Sequence, residues 1–393
     1  MESSNNSDNL YKTMLKNKKK WGLFFLILVI LFLVWLLFLY IRGKLRLKDT
    51  NNNNMITAYQ ERGGTKLGGI NSSNPQHKHL LRDYYVLSSY NSCCGGNSIK
   101  DFVDMIPLKQ VIKQGARLLD FEIYSKNGNA IVAAGPEATP NGKYCIKGTY
   151  NSLSFRSVME NVKMNGYSGQ ACPNPDDPLF LSFRIKTNNK NIYPGMASVL
   201  RKLFGGQFLH ARYSHEGRNI KSGKDNIANI PLLDLRRKVI VLVQDPNNNF
   251  RETPFHEFVN ISGKGKDGTG MPFASFSRNI DIVQAYDPKS IKNENKKFLG
   301  FSQPDFSKVT ENPPAAIHHS FGFQFAMMNF SYLDANMVYY LDFFSKKGSA
   351  FVLKPDHLRY FEKKIKPPKP QDPKLSYGPR PQSMLGGVYK PSI

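Results

Sequence analysis

The sequence contains few of the residues and motifs on which several common protein classes depend. Its 393 residues include four cysteines, two of them adjacent and none with CxxC spacing. This excludes a scaffold built on disulfides and argues against a structural zinc site. A phosphate loop ending in Gly-Lys-Ser/Thr and a Gly-x-Ser-x-Gly nucleophile turn are also missing from the sequence. The cysteines are Cys93, Cys94, Cys145 and Cys172.

Acidic residues are scarce relative to basic ones. Lys and Arg number 54 against 30 Asp and Glu, so the formal net charge is +24. Such an excess predicts an anionic partner, either a nucleic acid or a membrane surface rich in acidic lipid. Residues 1–49 and 363–393 contribute +6 each, and no recognised nucleic-acid-binding module is present. We therefore expect the partner to be a membrane with anionic lipid, and no nucleic acid.

Charged residues are missing altogether from residues 21–41. As a helix this segment would be about 31 Å long, which matches a bilayer core of roughly 30 Å. Trp21 and Tyr40 stand at its ends, where membrane proteins place an aromatic belt. Basic residues follow in place of the small residues of a cleavage site. We therefore expect a retained transmembrane helix rather than a buried core helix or a signal peptide.

The charges on either side of this span predict its orientation. Five lysines precede it and four cations follow it, which slightly favours a single-pass protein with a cytoplasmic N-terminus. The rest of the chain would then lie on the other side of the membrane. There the sequons at Asn71, Asn260 and Asn329 would be candidates for glycosylation.

Composition divides the chain into five segments. Residues 1–20 form a basic tail and residues 21–41 the membrane span, while residues 42–78 are polar and Gly-rich and predict a flexible linker. Residues 79–362 contain the folded body. Residues 363–393 hold seven prolines and predict an extended basic tail, which either binds a protein partner or is simply solvated.

The body alternates between two kinds of apolar pattern, which predicts an α/β fold. Short apolar runs are typical of buried strands, and several are separated by segments with helical periodicity. Strands that alternate with helices form parallel sheets, and about seven strands over this length fit a closed (β/α)8 TIM-type barrel, whose functional residues follow the carboxyl ends of the strands. The predicted strands are Tyr84–Leu87, Leu118–Ile123, Ile131–Ala134, Leu179–Phe183, Lys238–Val243, Phe325–Asn329 and Ala350–Leu353, and the predicted helices are Pro107–Gln114, Phe155–Lys163, Met196–Phe204 and Leu333–Phe344.

Motifs at the predicted strand ends resemble the X region of phosphoinositide-specific phospholipase C. Residues 88–92 (Ser-Ser-Tyr-Asn-Ser) resemble its Ser-Ser-His-Asn-Thr segment, and residues 115–124 resemble its Gly-Cys-Arg-x-x-Glu-x-Asp-x-Trp segment. Residues 181–184 and 203–205 are similar to its Leu-Ser-x-Glu and Phe-Gly elements. The X-like part spans residues 80–210.

A second block is similar to the Y region of the same family. Residues 322–330 match its Gly-Cys-Gln and Leu-Asn-Phe elements, and residues 351–355, with Arg359, match its Val-Leu-Lys-Pro element. The Y-like part spans residues 270–361. The resemblance implies a distorted barrel of the PLC-like phosphodiesterase kind. It also implies the family's chemistry, in which two histidines serve the phosphate and the leaving group and a bound calcium ion neutralises developing charge.

The positions that carry the family's chemistry are altered in this sequence. Tyr90 stands in place of the first histidine, and its ordinary pKa near 10 makes it a poor proton shuttle. Ala134 stands in place of the second histidine and has no proton to exchange. The lysines that would bind the headgroup align with Leu242 and Gln244, and an Arg-x-Tyr-Pro element aligns with residues 301–304. We therefore assign no catalytic residue and regard Tyr90 and Ala134 as degenerate positions.

The calcium positions are partly retained. Asn91 is present, and Asp120 and Glu122 keep the two carboxylates with their lengths exchanged. Arg184 replaces a further carboxylate, and its fixed positive charge would repel calcium and cannot act as a base. We expect no cofactor, and we expect Arg184 to form an ion pair across the barrel mouth with Asp120 and Glu122 in place of the metal. These four residues and Arg117 are the candidate binding residues.

Two functions fit these observations. The first is a membrane-anchored protein with a catalytically inactive phospholipase C-like barrel that acts as a lipid-binding, protein-binding or structural component. The second is an active phosphoric diester hydrolase with a rearranged site around Tyr90, Asp120 and Glu122. The Asn- and Lys-rich composition with this short anchored architecture suggests a virion or host-derived membrane as the location.

Overall fold

The computed structural model describes residues 2–136, 146–214, 226–263, 273–306, 311–362 and 375. The chain divides into two units, Met1–Arg359 and Tyr360–Ile393. The first unit contains the barrel. The predicted Pro-rich tail, apart from residue 375, lies outside the described residues, and so does Cys145.

The first element, α1 (Glu2–Glu61), is a single helix that contains the apolar segment and continues well beyond it. It is long and apolar enough to cross a membrane. The side chains of residues 21–41 are exposed, and no described residue outside α1 packs on them. The prediction of one long apolar helix near the N-terminus is therefore confirmed.

The structure differs from the expectation of a flexible linker at residues 42–78. Helix α1 continues to Glu61, and near its end Met55 and Tyr59 are each only 3% exposed because they pack on the barrel. The hydroxyl of Tyr59 donates to the carbonyl oxygen of Phe330 at 2.8 Å. The sequence pattern did not predict the second half of α1 as a helix, because polar side chains rather than an apolar stripe make many of its contacts with the barrel.

The body is built from twelve described strands and seven further helices. The strands are β1 (Tyr84–Val86), β2 (Ser88–Tyr90), β3 (Leu118–Lys126), β4 (Asn129–Ala133), β5 (Leu153–Ser154), β6 (Leu179–Ile185), β7 (Val239–Gln244), β8 (Val259–Ser262), β9 (Ala274–Arg278), β10 (Leu299–Gln303), β11 (Phe325–Asn329) and β12 (Phe351–Leu353). The helices are α2 (Met105–Lys113), α3 (Phe155–Gly166), α4 (Ile192–Phe204), α5 (Asn279–Val283), α6 (Pro288–Lys297), α7 (Ala315–Ser320) and α8 (Ala335–Lys347).

Eight parallel strands form a nearly closed barrel. Around it they follow the order β2, β3, β6, β7, β8, β9, β10 and β11, and β11 pairs with β2 again. Within the described ranges no pairing joins β8 to β9, so the barrel is open at that point. Strands β3, β6 and β7 lie among neighbours on both sides and read as continuous buried runs, which is typical of a parallel sheet covered by helices. The predicted α/β fold with a TIM-type barrel is confirmed.

Three of the seven predicted strands lie outside the barrel. Strands β1 and β12 pair with each other in a separate antiparallel sheet, and β4 is the antiparallel hairpin partner of β3. Four barrel strands were not predicted as strands, namely β2, β8, β9 and β10. These strands are short or carry polar residues, so they lack the apolar run by which a buried strand is recognised.

Aromatic rings fill part of the barrel interior. The ring of Phe301 on β10 stacks on Phe276 of β9 and on Phe325 of β11, with ring centroids 4.8 and 4.4 Å apart. Phe325 also contacts Phe180 of β6 at 4.8 Å. Since β6 and β11 are three strands apart around the barrel, this contact crosses the interior and ties opposite walls together.

Two buried histidines in α7 pack against the outside of the barrel. The Nδ1 atom of His318 lies 2.8 Å from the Ser302 hydroxyl, and its Nε2 atom lies 3.1 Å from the side-chain oxygen of Asn279. His319 stacks on the ring of Tyr85 with centroids 4.3 Å apart. Burial lowers the pKa of His318 to about 4 and that of His319 to about 3.

These histidines predict a loss of stability in mild acid. Both folded-state pKa values lie below the ordinary 6.5, so the unfolded chain binds protons more tightly. The contribution of each neutral histidine to the free energy of unfolding is fully present above about pH 6.5. It falls by about 1.4 kcal/mol per pH unit as the pH drops toward the folded-state pKa of that histidine. We expect His319→Phe to remove one such contribution in urea unfolding measured between about pH 7 and about pH 5.

His357→Phe supplies the matched control, since it makes the same replacement at an exposed position. An equal acid sensitivity of wild type and His319→Phe would show that His319 is not buried in its neutral form.

Candidate functional site

The carboxyl ends of β2, β3 and β6, at the mouth of the barrel, bring five polar side chains together. Tyr90 and Asn91 come from the end of β2, Asp120 and Glu122 from β3, and Arg184 from β6. All five are buried, with at most 7% of their surface exposed. We call these five residues the Arg184 cluster. The structure thus brings together the residues that the sequence analysis singled out after these strand runs.

The guanidinium of Arg184 is surrounded by acceptors. Its Nε and Nη2 atoms donate to Oδ2 of Asp120 at 3.0 and 2.8 Å. Its Nη1 atom donates to Oε1 of Glu122 and to the Tyr90 hydroxyl, both at 2.9 Å. Its Nη2 atom also donates to the side-chain oxygen of Asn91. A guanidinium has five N–H donors, and here each of them has an acceptor within the cluster.

The ion pair joins neighbouring strands, rather than crossing the barrel mouth as we expected. Strands β3 and β6 are adjacent and parallel, and their register places Glu122 directly opposite Arg184. The Tyr90 ring closes the remaining side, with the guanidinium carbon 4.2 Å from the ring centroid. This geometry adds a cation–π contact to the two ion pairs.

The electrostatics of the cluster keep Arg184 charged and Tyr90 neutral. Burial alone would lower the pKa of Arg184, but the nearby Asp120, Tyr90 and Glu122 outweigh it and raise that pKa well above its usual value. Burial raises the pKa of Tyr90 above its usual 10, although the charges of Arg184 and Arg278 oppose this. The Tyr90 hydroxyl therefore holds its proton throughout the physiological range.

Other groups hold the two carboxylates in place. The Ser182 hydroxyl donates to Oδ1 of Asp120 at 2.8 Å, and the backbone N–H of Asn91 donates to Oδ2 at 3.1 Å. Asn91 adopts a left-handed φ of +45°, which asparagine tolerates better than most residues, and this turns its N–H toward Asp120. The Tyr124 hydroxyl donates to Oε2 of Glu122 at 2.8 Å.

The residues present do not fit a calcium ion. Calcium takes six to eight oxygen ligands, and the oxygens of Asn91, Asp120 and Glu122 already accept from Arg184. A metal at this point would lie against a buried guanidinium of the same charge. The space beside the two acids, next to Cys93 and Cys94, is also too narrow for a water molecule. No group of three His, Cys, Asp or Glu side chains within the described part of the chain is placed to hold a metal ion.

Ala134, at the position of the second histidine, lies just beyond β4 and is fully buried. Its carbonyl oxygen accepts from the backbone N–H groups of Gly148 and Thr149 at 2.8 and 3.0 Å. A Cβ atom added at the next residue, Gly135, would lie 2.5 Å from the Tyr124 hydroxyl. The Tyr124 hydroxyl thus lies between Gly135 and Glu122. The neighbouring Ala134 contributes no titratable side chain there.

Arg117 is not part of the cluster. It precedes β3 at the opposite end of the barrel, and its side chain is completely buried. Its guanidinium donates to the carbonyl oxygens of Gly166, Asp177 and Pro178 at 2.9 to 3.3 Å. The motif of residues 115–124 therefore places Arg117 at one end of the barrel and the cluster residues Asp120 and Glu122 toward the other. The hydrogen bonds of Arg117 join the loop before β6 to the end of α3.

Sequence reasoning missed residues that support the cluster, among them Ser182 and Tyr124. Each lies two positions from a predicted site residue on the same strand and so projects to the same face. That spacing is the signal that could have identified them. Arg278, at the end of β9, was also missed, and its Nη1 atom lies 3.4 Å from the Tyr90 hydroxyl and 2.9 Å from the carbonyl oxygen of Pro304.

Removal of the Arg184 charge should destabilise the fold strongly, because it leaves two buried carboxylates unpaired. We expect Arg184→Met, which keeps much of the volume, to lower the free energy of unfolding by about 3–5 kcal/mol in urea titrations. The matched control is Arg236→Met, which breaks a surface pair with Asp176 and should cost at most about 1 kcal/mol. Equal effects of the two variants would contradict the assignment of Arg184 as the counterion of Asp120 and Glu122.

Known proteins similar to this chain were found both by sequence family and by structure. Residues 77–245 match the family model for the phosphatidylinositol-specific phospholipase C X domain. The structure is similar to that of PLC21 from L. pealei, with 18% identity and a TM-score of 0.55 over 72% of this chain and 38% of that one. For PLC21 from S. officinalis the values are 19%, 0.56, 74% and 39%. The chain thus spans less than two fifths of the length of each of these two proteins.

A third structure matches more weakly. It is the apo form of a calcium-dependent phosphoinositol-specific phospholipase C from a Pseudomonas species, with 12% identity and a TM-score of 0.44 over 71% of this chain and 97% of that one. No curated protein sequence matches the chain. The likeness to the two PLC21 structures shows the barrel fold, and the X-domain match covers less than half of the chain. The chain therefore has the fold of a PLC-like TIM-type barrel, and its residues 77–245 are similar to the phosphatidylinositol-specific phospholipase C X domain.

Proposed function

We propose that the chain is a single-pass membrane protein whose barrel does not hydrolyse phosphoinositides and instead serves as a lipid-binding or structural component of a membrane with anionic lipid. The single observation that carries this proposal is the Arg184 cluster. The side chains that would bind calcium and substrate phosphate in an active enzyme are hydrogen-bonded to an internal cation in this chain.

The loss of proton-transfer groups supports the same conclusion. Family hydrolysis needs a base for the attacking hydroxyl and an acid for the leaving group. Tyr90 keeps its proton because burial raises its pKa, and Ala134 offers no proton. The carboxylate oxygens of Asp120 and Glu122 are held by donors from the protein. No histidine in the described ranges hydrogen-bonds to a member of the cluster, although His215 lies outside them.

The membrane assignment rests on α1 and the basic residues that flank its apolar segment. Cations next to a span attract anionic lipid, at about 1 kcal/mol for each Lys or Arg close to the surface. In addition to the membrane contact, we propose that the Pro-rich tail, residues 363–393, binds a protein partner. Extended proline-rich segments bind without a large loss of chain entropy.

A second candidate is an active hydrolase with a rearranged site. It is favoured by the two carboxylates and by Arg278, which brings a further cation to the Tyr90 hydroxyl at the mouth. In such an enzyme an arginine would stabilise the phosphate charge in place of calcium, and a carboxylate would be the base. This requires Asp120 or Glu122 to exchange a hydrogen bond with Arg184 for one with substrate.

A hydrolysis assay separates the two functions. We expect the full-length protein in vesicles to release no more product from phosphatidylinositol or from a glycerophosphodiester than Asp120→Ala does. Each missing acid or base costs about 10²–10⁴ in rate, and calcium does not replace a proton-transfer group. We therefore expect the same result with and without calcium. Turnover by wild type that Asp120→Ala abolishes would establish the hydrolase and defeat the first function.

Calcium should leave the melting temperature of the wild-type protein unchanged, since the side-chain oxygens of Asn91, Asp120 and Glu122 already accept from Arg184. In Arg184→Ala the oxygens of Asn91, Asp120 and Glu122 are free, and calcium at 100 times its dissociation constant would stabilise this variant by about 2.7 kcal/mol. The double variant Arg184→Ala/Asp120→Ala is the control and should respond less. A rise of several degrees for wild type in calcium would mean that the site still binds the metal.

A further inference from the structure

The half of α1 that follows the apolar segment is fixed to the barrel by a polar interface. Lys48 and Asn52 contact Asp104, with the ammonium 3.3 Å and the amide nitrogen 2.7 Å from Oδ2. The amide of Asn51 donates to both carboxylate oxygens of Asp101 at 2.9 and 3.0 Å. We call these five residues the α1 clasp. Because Asp101 and Asp104 accept from side chains on one face of α1, the clasp fixes the rotation of α1 about its own axis relative to the barrel.

The contacts follow one another along α1 from the mouth of the barrel toward its opposite end. Asp101 and Asp104 belong to the loop between β2 and α2, which starts at the mouth. Further along the chain, Arg62 pairs with Asp342 in the middle of α8 at 2.6 Å. Thr65 then donates to Gln114, at the far end of α2, at 2.6 Å. The apolar segment therefore leaves the barrel on the mouth side.

The mouth is close to the end of the apolar segment. Lys44 lies three residues beyond Ile41, about 5 Å along a helix, and Lys48 lies about 10 Å along it. The Lys44 ammonium is 5.9 Å from the ring centroid of Tyr150, in the segment after β4. The headgroup layer of a bilayer is roughly 5–8 Å thick on each side. A bilayer around residues 21–41 would therefore place Tyr150 at the level of its headgroups.

The same face of the barrel exposes apolar side chains. Ile146 is 87% exposed in the segment that contains Tyr150, and Val283, at the end of α5, is 55% exposed. Helix α5 directly follows β9, so Val283 lies at the mouth as well. Further exposed apolar residues that follow strand ends on this side are Ile280, Tyr286 and Phe306.

We propose that α1 is a rigid strut that holds the mouth face of the barrel against the membrane that its own apolar segment crosses. The partner of this face is the bilayer, and Ile146, Tyr150 and Val283 contact its headgroup layer. The proposal rests on the proposed function, because it requires α1 to span a membrane. It goes beyond that function by fixing which face of the barrel meets the lipid and by naming the clasp that fixes it.

Depth-dependent fluorescence quenching tests this orientation. The full chain is reconstituted into vesicles of phosphatidylcholine and phosphatidylserine that contain a headgroup-level quencher lipid. An environment-sensitive dye is attached to Val283→Cys or, as the matched control, to Met164→Cys, whose position near the end of α3 is 64% exposed and lies at the opposite end of the barrel. Dye on the unsubstituted chain gives the background from native cysteines.

We expect quenching at Val283 to exceed that at Met164 about twofold or more, because only the first lies within the headgroup layer. A flexible Gly/Ser insertion after Gly43 separates the clasp from the span, and it should reduce quenching at Val283 to the Met164 level. Equal quenching at the two positions, or strong quenching at Val283 that survives the insertion, would overturn the proposal.

Flotation of the same samples distinguishes this failure from a failure of the proposed function. If the protein does not float with the vesicles after alkaline extraction, α1 does not span the membrane and both proposals fall. If the protein floats and Val283 is not quenched, the anchor is retained and the orientation alone is wrong.

Discussion

The mouth of this barrel depends on the buried pairing of one cation, Arg184, with two carboxylates, Asp120 and Glu122. Two carboxylates taken out of water require a cation, and the desolvation cost is recovered only when the geometry and hydrogen bonds are good. Arg184 meets this condition by using all its donors within the cluster. A diffusible metal would leave an enzyme free to bind and release substrate, whereas a guanidinium held by the chain fixes the site in one arrangement.

The fold could be predicted from the sequence where burial on both faces leaves a continuous apolar run, as in Val239–Gln244. It could not be predicted where strands are short or polar, as in Ala274–Arg278, because such strands gain stability from pairing and not from composition. The second half of α1 shows the same limit. Asn51 and Asn52 are typical of a linker, and their role became visible only from the position of Asp101 and Asp104.

The site was largely predictable because the carboxyl ends of parallel strands meet at one edge of the barrel. Asn91, Asp120, Glu122 and Arg184 were all expected there and lie in direct contact. Arg117 was misplaced because a motif of ten residues spans the whole length of a strand, and a short motif does not reveal which end each residue serves. The strand register, which places Arg184 beside Glu122, also required the structure.

We propose that this barrel, with its internal counterion and a helix fixed beside its mouth, stays at a membrane surface and does not turn over lipid. The most direct measurement of this account is an experimental density map of the full chain prepared with calcium. We predict the guanidinium of Arg184 between Asp120 and Glu122, with no metal at that position. A metal ion bound by Asn91, Asp120 and Glu122, with Arg184 displaced, would contradict the account.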